Sequence, residues 1–279
     1  MIKIGKKEYD FEILLSTMYR TSLSFLAEMF PEDNFLNYNI LIVNQTSNDK
    51  LLKSGYTNIR IINSFEKGLS KSRNLAIKNA IGEVCLIADD DVKYQKNFKE
   101  IILDTYTKRS EADVVTFQMI DDAGKLFKAY PNITIHNKKT IKTVNSVTLT
   151  FRTERLKFHK VGFNQHFGLG AIFQNADEYV FLRNALKANL NVYFEPKVIL
   201  SHNLYSSGKA VGSDRVIYAL SAIFYKYSGV LAYPRLLKHL LFICKRKRIA
   251  FREIIPKYRV GLKGIKEYKR LVKLGSEKR

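Results

Sequence analysis

The sequence is poor in cysteine and has no uninterrupted long hydrophobic run. Its two cysteines, Cys85 and Cys244, both lie in apolar surroundings, so they offer no disulfide framework and favour a reducing compartment. Residues 1–7 lack an apolar run and a small-residue cleavage site, and we therefore expect no signal peptide. The longest apolar stretch, residues 216–244, is interrupted by a proline and several basic residues, so we expect it to be too broken to span a bilayer.

Acidic residues are also scarce. The chain has 26 Asp and Glu against 47 Lys and Arg, which gives a formal net charge of +21. This imbalance implies an anionic partner, and nucleic acid, a phosphorylated substrate and an anionic membrane surface all qualify. The 279 residues, 46% of them hydrophobic, suffice for one large domain or for a domain with an appendage, built around a substantial core.

Three consecutive carboxylates, Asp89, Asp90 and Asp91, follow the short apolar run 84–88. The run predicts a buried strand, along which side chains alternate, so Asp89 and Asp91 point to one side and Asp90 to the other. Two like charges on one side repel unless a cation lies between them, and hard oxygen ligands suit Mg²⁺ or Mn²⁺. A divalent ion that bridges the protein to a diphosphate is one hypothesis, and a solvated acidic loop is the alternative.

Strands and helices alternate along the first part of the chain. The patterns predict strands at 11–17, 39–43, 59–62 and 84–88, and helices at 23–30 and 68–80. This order is typical of a parallel sheet with helices on both faces, where ligands bind beyond the carboxyl ends of the strands. Ser16-Thr17, Asn44-Gln45 and the Asp triplet all lie at such ends, and their convergence favours a nucleotide site.

Further along, the pattern is less regular. We expect strands at 114–117, 192–194 and 198–200, a β-rich run over 140–151, and a helix that opens at Asp177-Glu178. Acidic residues in a first helical turn complement the helix dipole. The stretch from Phe163 to Gly170 is aromatic and glycine-rich, which suits a loop that approaches a ligand.

Taken in this order, the motifs between Phe11 and Asn203 resemble the family 2 glycosyltransferases with the GT-A fold. The segments that carry the resemblance are Ser16-Thr17-Met18-Tyr19-Arg20, Asn44-Gln45-Thr46-Ser47-Asn48-Asp49, Gly68 to Ala76, the Asp triplet, and Phe167-Gly168-Leu169-Gly170-Ala171 followed by Asn175-Ala176-Asp177-Glu178. No single segment is diagnostic, but five in the right order are specific. The resemblance implies an α/β GT-A catalytic domain over residues 1–204, with a mainly parallel central sheet flanked by helices. Residues 205–279 would then form a basic helical appendage.

The resemblance also implies a reaction and roles for individual residues. The reaction is transfer of a sugar, with inversion, from a nucleotide diphosphate sugar (expected to be a UDP-sugar) to a hydroxyl of a glycan or lipid-linked acceptor, with Mg²⁺ or Mn²⁺ as cofactor. Asp177 is the implied catalytic base, Asp89, Asp91 and His202 are the implied metal ligands, and Gly168, Gly170 and Glu178 are the implied acceptor-binding residues. The implied donor-nucleotide residues are Ser16, Thr17, Tyr19, Arg20, Asn44, Gln45, Lys67, Gly68, Arg73, Asp89 and Asp90.

The sequence departs from the family pattern at two places. Asn44 and Gln45 stand where the family has acids, although an amide can serve the N–H and carbonyl groups of a uracil as a carboxylate can. Asn175 and Ala176 stand where the family has Gly-Glu, while the following Asp is retained. Structural roles compete with the functional ones: Asp177 as a helix cap, Glu178 as a surface residue that complements the helix dipole, Arg73 as a solvated helix residue, and His202 as a capped, solvent-facing imidazole.

Residues 215–279 interleave apolar and aromatic residues with lysine and arginine, and include the run Lys245-Arg246-Lys247-Arg248. Helices with a basic face and an apolar face suit an anionic membrane surface. The alternative is that they pack on the core and keep a solvated basic side. We expect a bacterial cytoplasmic protein that builds a surface polysaccharide or similar glycoconjugate and can associate peripherally with the inner face of the cell membrane.

Two other functions compete with sugar transfer. A sugar-phosphate nucleotidyltransferase would also use carboxylates, a metal and an α/β sheet, but it would usually carry a glycine-rich loop after the first strand, and Ser16 to Arg20 contain no glycine. A nucleic-acid-binding module predicts a basic stripe with aromatic residues placed for stacking. Because the aromatic residues here lie mostly inside apolar runs, we expect no nucleic-acid partner.

Overall fold

The computed structural model describes residues 9–203 and 211–277, and the chain divides into two compact units. The first unit comprises residues 1–164 and 177–204, and the second comprises residues 165–176 and 205–279. Residues 165–176, which the sequence analysis placed in the catalytic domain, therefore group with the C-terminal helices.

All the strands found in residues 9–203 and 211–277 belong to the first unit. They are β1 (Tyr9–Met18), β2 (Ile40–Gln45), β3 (Ile59–Ser64), β4 (Gly82–Asp89), β5 (Val92–Tyr94), β6 (Val114–Ile120), β7 (Leu149–Arg152) and β8 (Val192–His202). The helices of this unit are α1 (Phe25–Met29), α2 (Leu69–Asn79), α3 (Phe98–Lys108), α4 (Thr153–Phe158) and α5 (Asp177–Lys187). The second unit contains α6 (Asp214–Ser228), α7 (Ala232–Lys245) and α8 (Ile254–Lys273).

The strands form one sheet in the order β3-β2-β1-β4-β7-β6-β8-β5. The four strands from β3 to β4 run parallel, as do β6 and β8, whereas β7 and β5 pair antiparallel with their neighbours. Residues 11–17 of β1 are all buried, which is typical of a strand covered on both faces. The predicted mainly parallel sheet is confirmed.

Two apolar clusters cover the two faces of the sheet, because side chains alternate along each strand. On β1, Ile13 and Leu15 join one cluster and Leu14 joins the other. The first cluster also takes in residues of α1 and α3, and the second takes in residues of α2, α4 and α5. Helices therefore pack on both faces, as the alternating sequence pattern predicted.

Three segments differ from the sequence-based expectation. The run 140–148, expected to be β-rich, forms two short 3₁₀ turns, and only Leu149–Arg152 is a strand. The strands expected on either side of Pro196 are one continuous strand, since Pro196 lies where the pairing of β6 with β8 is irregular, so its missing N–H interrupts no regular ladder. The sequence analysis assigned no element to residues 98–108, which form α3.

Glu12 is a buried carboxylate within β1, and it joins three parts of the first unit. Its Oε2 accepts hydrogen bonds from the backbone N–H groups of Ile81 (2.8 Å) and Gly82 (3.0 Å), and its Oε1 accepts one from Nη2 of Arg60 (2.6 Å). A Cβ atom on Gly82 would lie 2.6 Å from the Glu12 Cβ, so this close approach requires glycine.

The second unit is a helical cluster with its own apolar core, to which α6, α7 and α8 contribute. A Cβ atom on Gly264 of α8 would lie 2.3 Å from the carbonyl oxygen of Tyr218, so glycine lets α8 approach α6 closely. Within the described ranges, residues 214–245 are the one stretch long and apolar enough to cross a membrane, and 44% of its most apolar window is buried inside the protein. The sequence analysis expected the proline and the basic residues to make this stretch too broken to span a bilayer. By length and composition alone, the stretch still qualifies as a candidate span. The stretch consists of two helices, however, and the core helix of a soluble protein passes the same test.

We expect Glu12→Ala to lower the free energy of unfolding by about 2–4 kcal/mol, because it leaves two buried N–H groups without an acceptor. Urea unfolding followed by circular dichroism measures the change. The matched control is Glu83→Ala, which removes an exposed ion pair with Arg152 and should cost less than about 1 kcal/mol. Equal losses in the two variants would contradict this role of Glu12.

Candidate active site

The polar ends of three parallel strands meet at one edge of the sheet. Ser16 of β1 is in register with Asp89 of β4, and Thr17 of β1 is in register with Asn44 of β2. The structure therefore brings together the three polar clusters that the sequence analysis singled out. The reason is the parallel topology, since neighbouring strands that run the same way end at the same edge.

Asp90 holds the turn that follows β1. Its Oδ2 accepts hydrogen bonds from Thr17 Oγ1 (2.5 Å) and from Arg20 Nε (2.8 Å). Ser16, also buried, accepts a hydrogen bond from the hydroxyl of Ser72 on α2 (2.9 Å). Thr17, Arg20 and Asp90, three of the predicted donor-site residues, thus fix the conformation of the loop by hydrogen bonds with one another.

Asn44 and Gln45 have structural roles that the sequence analysis did not foresee. Asn44 is 0% exposed; its amide donates to the Arg20 carbonyl (2.9 Å) and to Asn63 Oδ1 (3.0 Å), and its Oδ1 accepts from the Arg20 N–H (3.1 Å). Gln45 accepts a hydrogen bond from the N–H of Gly68 (2.7 Å). Asn44 is enclosed and its amide group is fully engaged within the protein, and its contact with the nucleotide stays a prediction. It supports the loop that carries Arg20.

Tyr19 presents an exposed aromatic ring between two lysines. The ring is 40% exposed, and the Nζ atoms of Lys50 and Lys67 lie 5.6 and 5.5 Å from its centroid. The backbone of Tyr19 has φ +55°, and Gly68, which precedes α2, has φ +125°. A ring face beside two cations can stack on a base and attract phosphate groups. The sequence analysis did not single out Lys50, because it follows a polar turn that has no hydrophobic periodicity.

Arg73 is a buried cation that links α2 to two carboxylates. Its side chain is 1% exposed; Nη1 bonds to Asp177, and Nη2 donates to both oxygens of Asp89 (2.8 and 3.1 Å) and to Ser146 Oγ (3.0 Å). The ring of Phe163 lies 5.3 Å from the guanidinium. This burial excludes the solvated-helix alternative, and the donor-binding role of Arg73 stays a prediction. Burial raises the pKa of Asp89 although Arg73 opposes the rise.

The residue after Arg73 anchors a neighbouring segment. Asn74 Oδ1 accepts from the Phe163 N–H (2.7 Å), and its Nδ2 donates to the Phe163 carbonyl (2.7 Å). A Cβ atom on Gly162 would lie 2.9 Å from Asn74 Oδ1, so glycine leaves room for the contact. Arg73 and Asn74 therefore both bind other parts of the protein: Arg73 binds the carboxylates, and Asn74 binds the backbone of Phe163.

Asp91 and His202 face each other where β5 pairs with β8. His202 Nε2 lies 3.4 Å from Asp91 Oδ1, and the imidazole is 11% exposed whereas the carboxylate is 62% exposed. The hydrogen bond with His202 lowers the pKa of Asp91, and the same bond raises the pKa of His202. The other ring nitrogen, Nδ1, lies 2.8 Å from the Asn203 carbonyl and must donate to it, because a carbonyl oxygen only accepts.

The donor set fits a divalent ion in part. One carboxylate and one imidazole nitrogen suit Mn²⁺ or Mg²⁺, which takes its remaining ligands from water and phosphate oxygens. In Asp89, the third predicted ligand, both carboxylate oxygens accept hydrogen bonds from Arg73 Nη2. Across residues 9–203 and 211–277, no group of three or more His, Cys, Asp or Glu is placed to hold a metal ion.

Two acidic residues open α5 in different surroundings. Asp177 is buried against Arg73, whereas Glu178 is partly exposed. Burial raises the pKa of Glu178 well above its ordinary value, and the negative charge of Asp177 adds to the rise. Burial lowers the pKa of Lys128 to about 8, although the charge of Glu178 opposes that shift. Lys128, which bonds to Asn145, was missed because it lies in an irregular segment after β6.

The predicted acceptor-binding glycines lie in the second unit. Gly168 (φ +104°) and Gly170 (φ +76°) adopt left-handed conformations that favour glycine. The turn is closed by hydrogen bonds from the Gly168 N–H to the Phe173 carbonyl (2.9 Å) and from the Ala171 N–H to the Gly168 carbonyl (3.1 Å). These glycines are therefore needed for the shape of the loop.

Comparison with known proteins gives a family and a number of similar solved structures. The profile of the family described as Glycosyl transferase family 2 matches residues 15–180. The crystal structure of Staphylococcus aureus TarS residues 1–349 has a TM-score of 0.52 at 15% identity, with 97% of this chain and 93% of that one covered. The complex of the same fragment with UDP-GlcNAc has a TM-score of 0.53 at 15% identity over the same shares of the two chains. At this identity the likeness concerns the fold. A search of curated proteins finds no match.

We expect Arg73→Met to lower the free energy of unfolding by about 3–5 kcal/mol at neutral pH, because the buried Asp177 and the partly exposed Asp89 are left without their cation. Urea unfolding measures the loss. Lys71→Met on the same helix removes an exposed ion pair with Glu66 and should cost less than about 1 kcal/mol. Adding Asp177→Asn to Arg73→Met should recover part of the stability; a further loss would contradict the charge argument.

Proposed function

Because the chain belongs to glycosyl transferase family 2, it is a glycosyltransferase, and we propose that it moves a sugar, with inversion, from a UDP-sugar to a hydroxyl of a glycan or lipid-linked saccharide. The observation that carries the proposal is the convergence of the strand ends of β1, β2 and β4 on the acidic cluster bound to Arg73. That edge of a parallel sheet is where nucleotides bind in α/β folds.

The donor nucleotide would bind along the loop after β1. The exposed ring of Tyr19 can stack on the base, and Lys50, Lys67 and Arg20 supply positive charge for the diphosphate. The similar TarS fold has been solved with UDP-GlcNAc and with UDP, which supports a UDP-sugar as donor. The amide-for-acid replacements at Asn44 and Gln45 do not weigh against uracil, since Asn44 supports the loop from behind.

Sugar transfer makes two chemical demands on the site. The departing diphosphate gains negative charge, and the acceptor hydroxyl must lose its proton as it attacks the anomeric carbon from the opposite face. A carboxylate at the start of α5, Asp177 by the family resemblance, would take this proton. Mg²⁺ or Mn²⁺ would be held by Asp91 and His202 beside Asp89, and when bound it neutralises charge on the diphosphate.

We expect UDP to bind more tightly with Mn²⁺ than without it, and Asp91→Ala to abolish the difference, because Asp91 supplies the carboxylate ligand. Isothermal titration calorimetry measures both affinities, and loss of one carboxylate ligand should weaken metal-dependent binding by about 10–100-fold. Asp122→Ala, at an exposed turn of the same unit, is the control and should bind as the wild type does. Binding of UDP that is unaffected by Mn²⁺ would contradict the metal site.

The second unit has an exposed apolar patch beside basic residues. The apolar members are Val230, Leu231, Leu237, Leu241, Phe242, Phe251 and Ile255, and the exposed basic residues nearby in sequence are Lys238, Lys245, Arg246, Lys247, Arg248 and Arg252. An apolar face with a basic rim suits an anionic membrane surface. This supports a peripheral location on the cytoplasmic face of a bacterial membrane, where a lipid-linked acceptor for polysaccharide synthesis would be found.

We expect the protein to bind vesicles that contain phosphatidylglycerol and the double variant Leu237→Gln/Leu241→Gln to bind them at least about tenfold more weakly, since each buried leucine contributes about 1.5–3 kcal/mol. Vesicle sedimentation measures the partition. Leu126→Gln, an exposed apolar position in the first unit, is the control. Equal binding to neutral phosphatidylcholine vesicles would show that the basic rim has no part in it.

A further inference from the structure

The chain turns back on itself after β6, and the returning segment carries Lys128. Asp121 Oδ1 accepts a hydrogen bond from the Lys125 N–H (2.9 Å), which closes the turn. The Phe127 N–H donates to the Met119 carbonyl (3.0 Å), so the returning segment runs beside the end of β6. Because β4 and β6 both pair antiparallel with β7, their carboxyl ends lie at the same edge of the sheet. Lys128 therefore belongs to the edge that carries the candidate site.

The residues on either side of Lys128 hold its backbone in place. The ring of Phe127 meets the imidazole of His202 edge-on, with 6.0 Å between the ring centroids. The hydroxyl of Tyr130 accepts a hydrogen bond from the Met119 N–H (2.9 Å). The segment is thus tied to β6 and to the end of β8 at once, and the Lys128 side chain starts from a defined position.

The ammonium of Lys128 lies beside the acidic cluster. Its Nζ donates to Asn145 Oδ1 and lies 5.7 Å from the centroid of the Tyr130 ring. Asn145 directly precedes Ser146, whose Oγ accepts a hydrogen bond from Arg73 Nη2 (3.0 Å). The partner of Lys128 is therefore the sequence neighbour of a residue that binds Arg73.

Unlike Arg73, Lys128 has no carboxylate partner for its charge. Across residues 9–203 and 211–277 it forms no ion pair, and the group that accepts its hydrogen bond is a neutral amide. The side chain is partly buried, and this burial lowers the pKa of Lys128 although the charge of Glu178 opposes the shift. A desolvated ammonium whose hydration is replaced by one amide favours an anionic ligand.

The strand order separates Lys128 from the cations that we assign to the diphosphate. Those cations are Arg20, Lys50 and Lys67, which follow β1, β2 and β3. These strands lie on one side of β4 in the sheet, whereas β6 lies on the other side. The carboxylate that acts on Lys128 is Glu178 of α5, an implied acceptor-binding residue. Lys128 is therefore placed for the reacting sugars rather than for the nucleotide.

We propose that Lys128 is a specificity-determining residue that binds the carboxylate of a uronic acid, carried by either the donor sugar or the acceptor sugar. The inference rests on the function proposed above and names the substrate class of that site. An ammonium donates three hydrogen bonds, and Asn145 accepts one of them, which leaves two for the oxygens of a carboxylate. One ammonium also balances the single charge of a carboxylate, and Arg73 is already engaged by its own two carboxylates.

The donor arm of the test compares UDP-glucuronic acid with UDP-glucose, which differ only in the carboxylate that replaces a hydroxymethyl group. Isothermal titration calorimetry with Mn²⁺ present measures both affinities. If the donor carries the acid, the wild type should bind UDP-glucuronic acid about 10–100-fold more tightly, the usual gain from a hydrogen bond to a charged group. Lys128→Met and Lys128→Gln should lose this preference, and Lys128→Arg should keep most of it.

The acceptor arm keeps UDP and Mn²⁺ bound and compares methyl glucuronide with methyl glucoside. Saturation-transfer NMR measures the two affinities. If the acceptor carries the acid, the glucuronide should bind at least about tenfold more tightly to the wild type, and the preference should again be lost in Lys128→Met. In both arms the control is Lys125→Met, an exposed lysine of the same turn, which should behave as the wild type does.

Three results would overturn the inference and leave the proposed sugar transfer standing, because UDP still binds in each. They are a wild type without preference for the acid in either arm, a preference that survives in Lys128→Met, and an equal weakening of UDP and both UDP-sugars in Lys128→Met. The last result would assign Lys128 to the diphosphate. Urea unfolding checks each variant, and Lys128→Gln, which keeps a hydrogen-bond donor without the charge, carries the test if Lys128→Met does not fold. If the wild type binds neither UDP nor a UDP-sugar, the proposed function itself fails.

Discussion

One buried guanidinium determines how the acidic edge of the sheet is arranged. Arg73 reaches from α2 to Asp89 at the end of β4, to Asp177 at the start of α5 and to Ser146 before β7. Without this cation, the negative charges of Asp89 and Asp177 would repel each other with no buried positive charge between them. Because Arg73 pairs with both of them, it holds the start of α5 against the end of β4.

Around the proposed donor site, buried polar side chains support the loops, and other side chains are exposed to solvent. Asn44 and Gln45 are buried and hold the backbone of Arg20 and Gly68, whereas Tyr19 stands exposed beside two lysines. Asp90 likewise ties the loop after β1 to the end of β4. Buried polar groups with saturated hydrogen bonds keep a site rigid, so the few exposed groups can be held in a defined position.

The second unit combines a small buried apolar core with exposed apolar residues on α7. Its helices close a small apolar core through glycines on α8, yet α7 leaves several leucines and a phenylalanine exposed among basic residues. Exposed apolar residues grouped in this way indicate an interaction surface rather than an ordinary part of a soluble surface. The net charge of +21 suits the anionic nucleotide-sugar donor and the anionic membrane surface that we propose as partners.

The order of amino acids alone predicted the alternating strands and helices, the position of the Asp triplet at a strand end and the family, because hydrophobic periodicity and short motifs are local signals. It did not reveal α3, the 3₁₀ turns of residues 140–148 or the continuity of β8 through Pro196, where packing overrides local preference. The burial of Arg73, the fully hydrogen-bonded amide of Asn44 and the interaction between Lys128 and Glu178 are properties of the folded chain that no local pattern showed. Burial and charge pairing depend on residues far apart in the chain, and a residue's neighbours in sequence do not specify them.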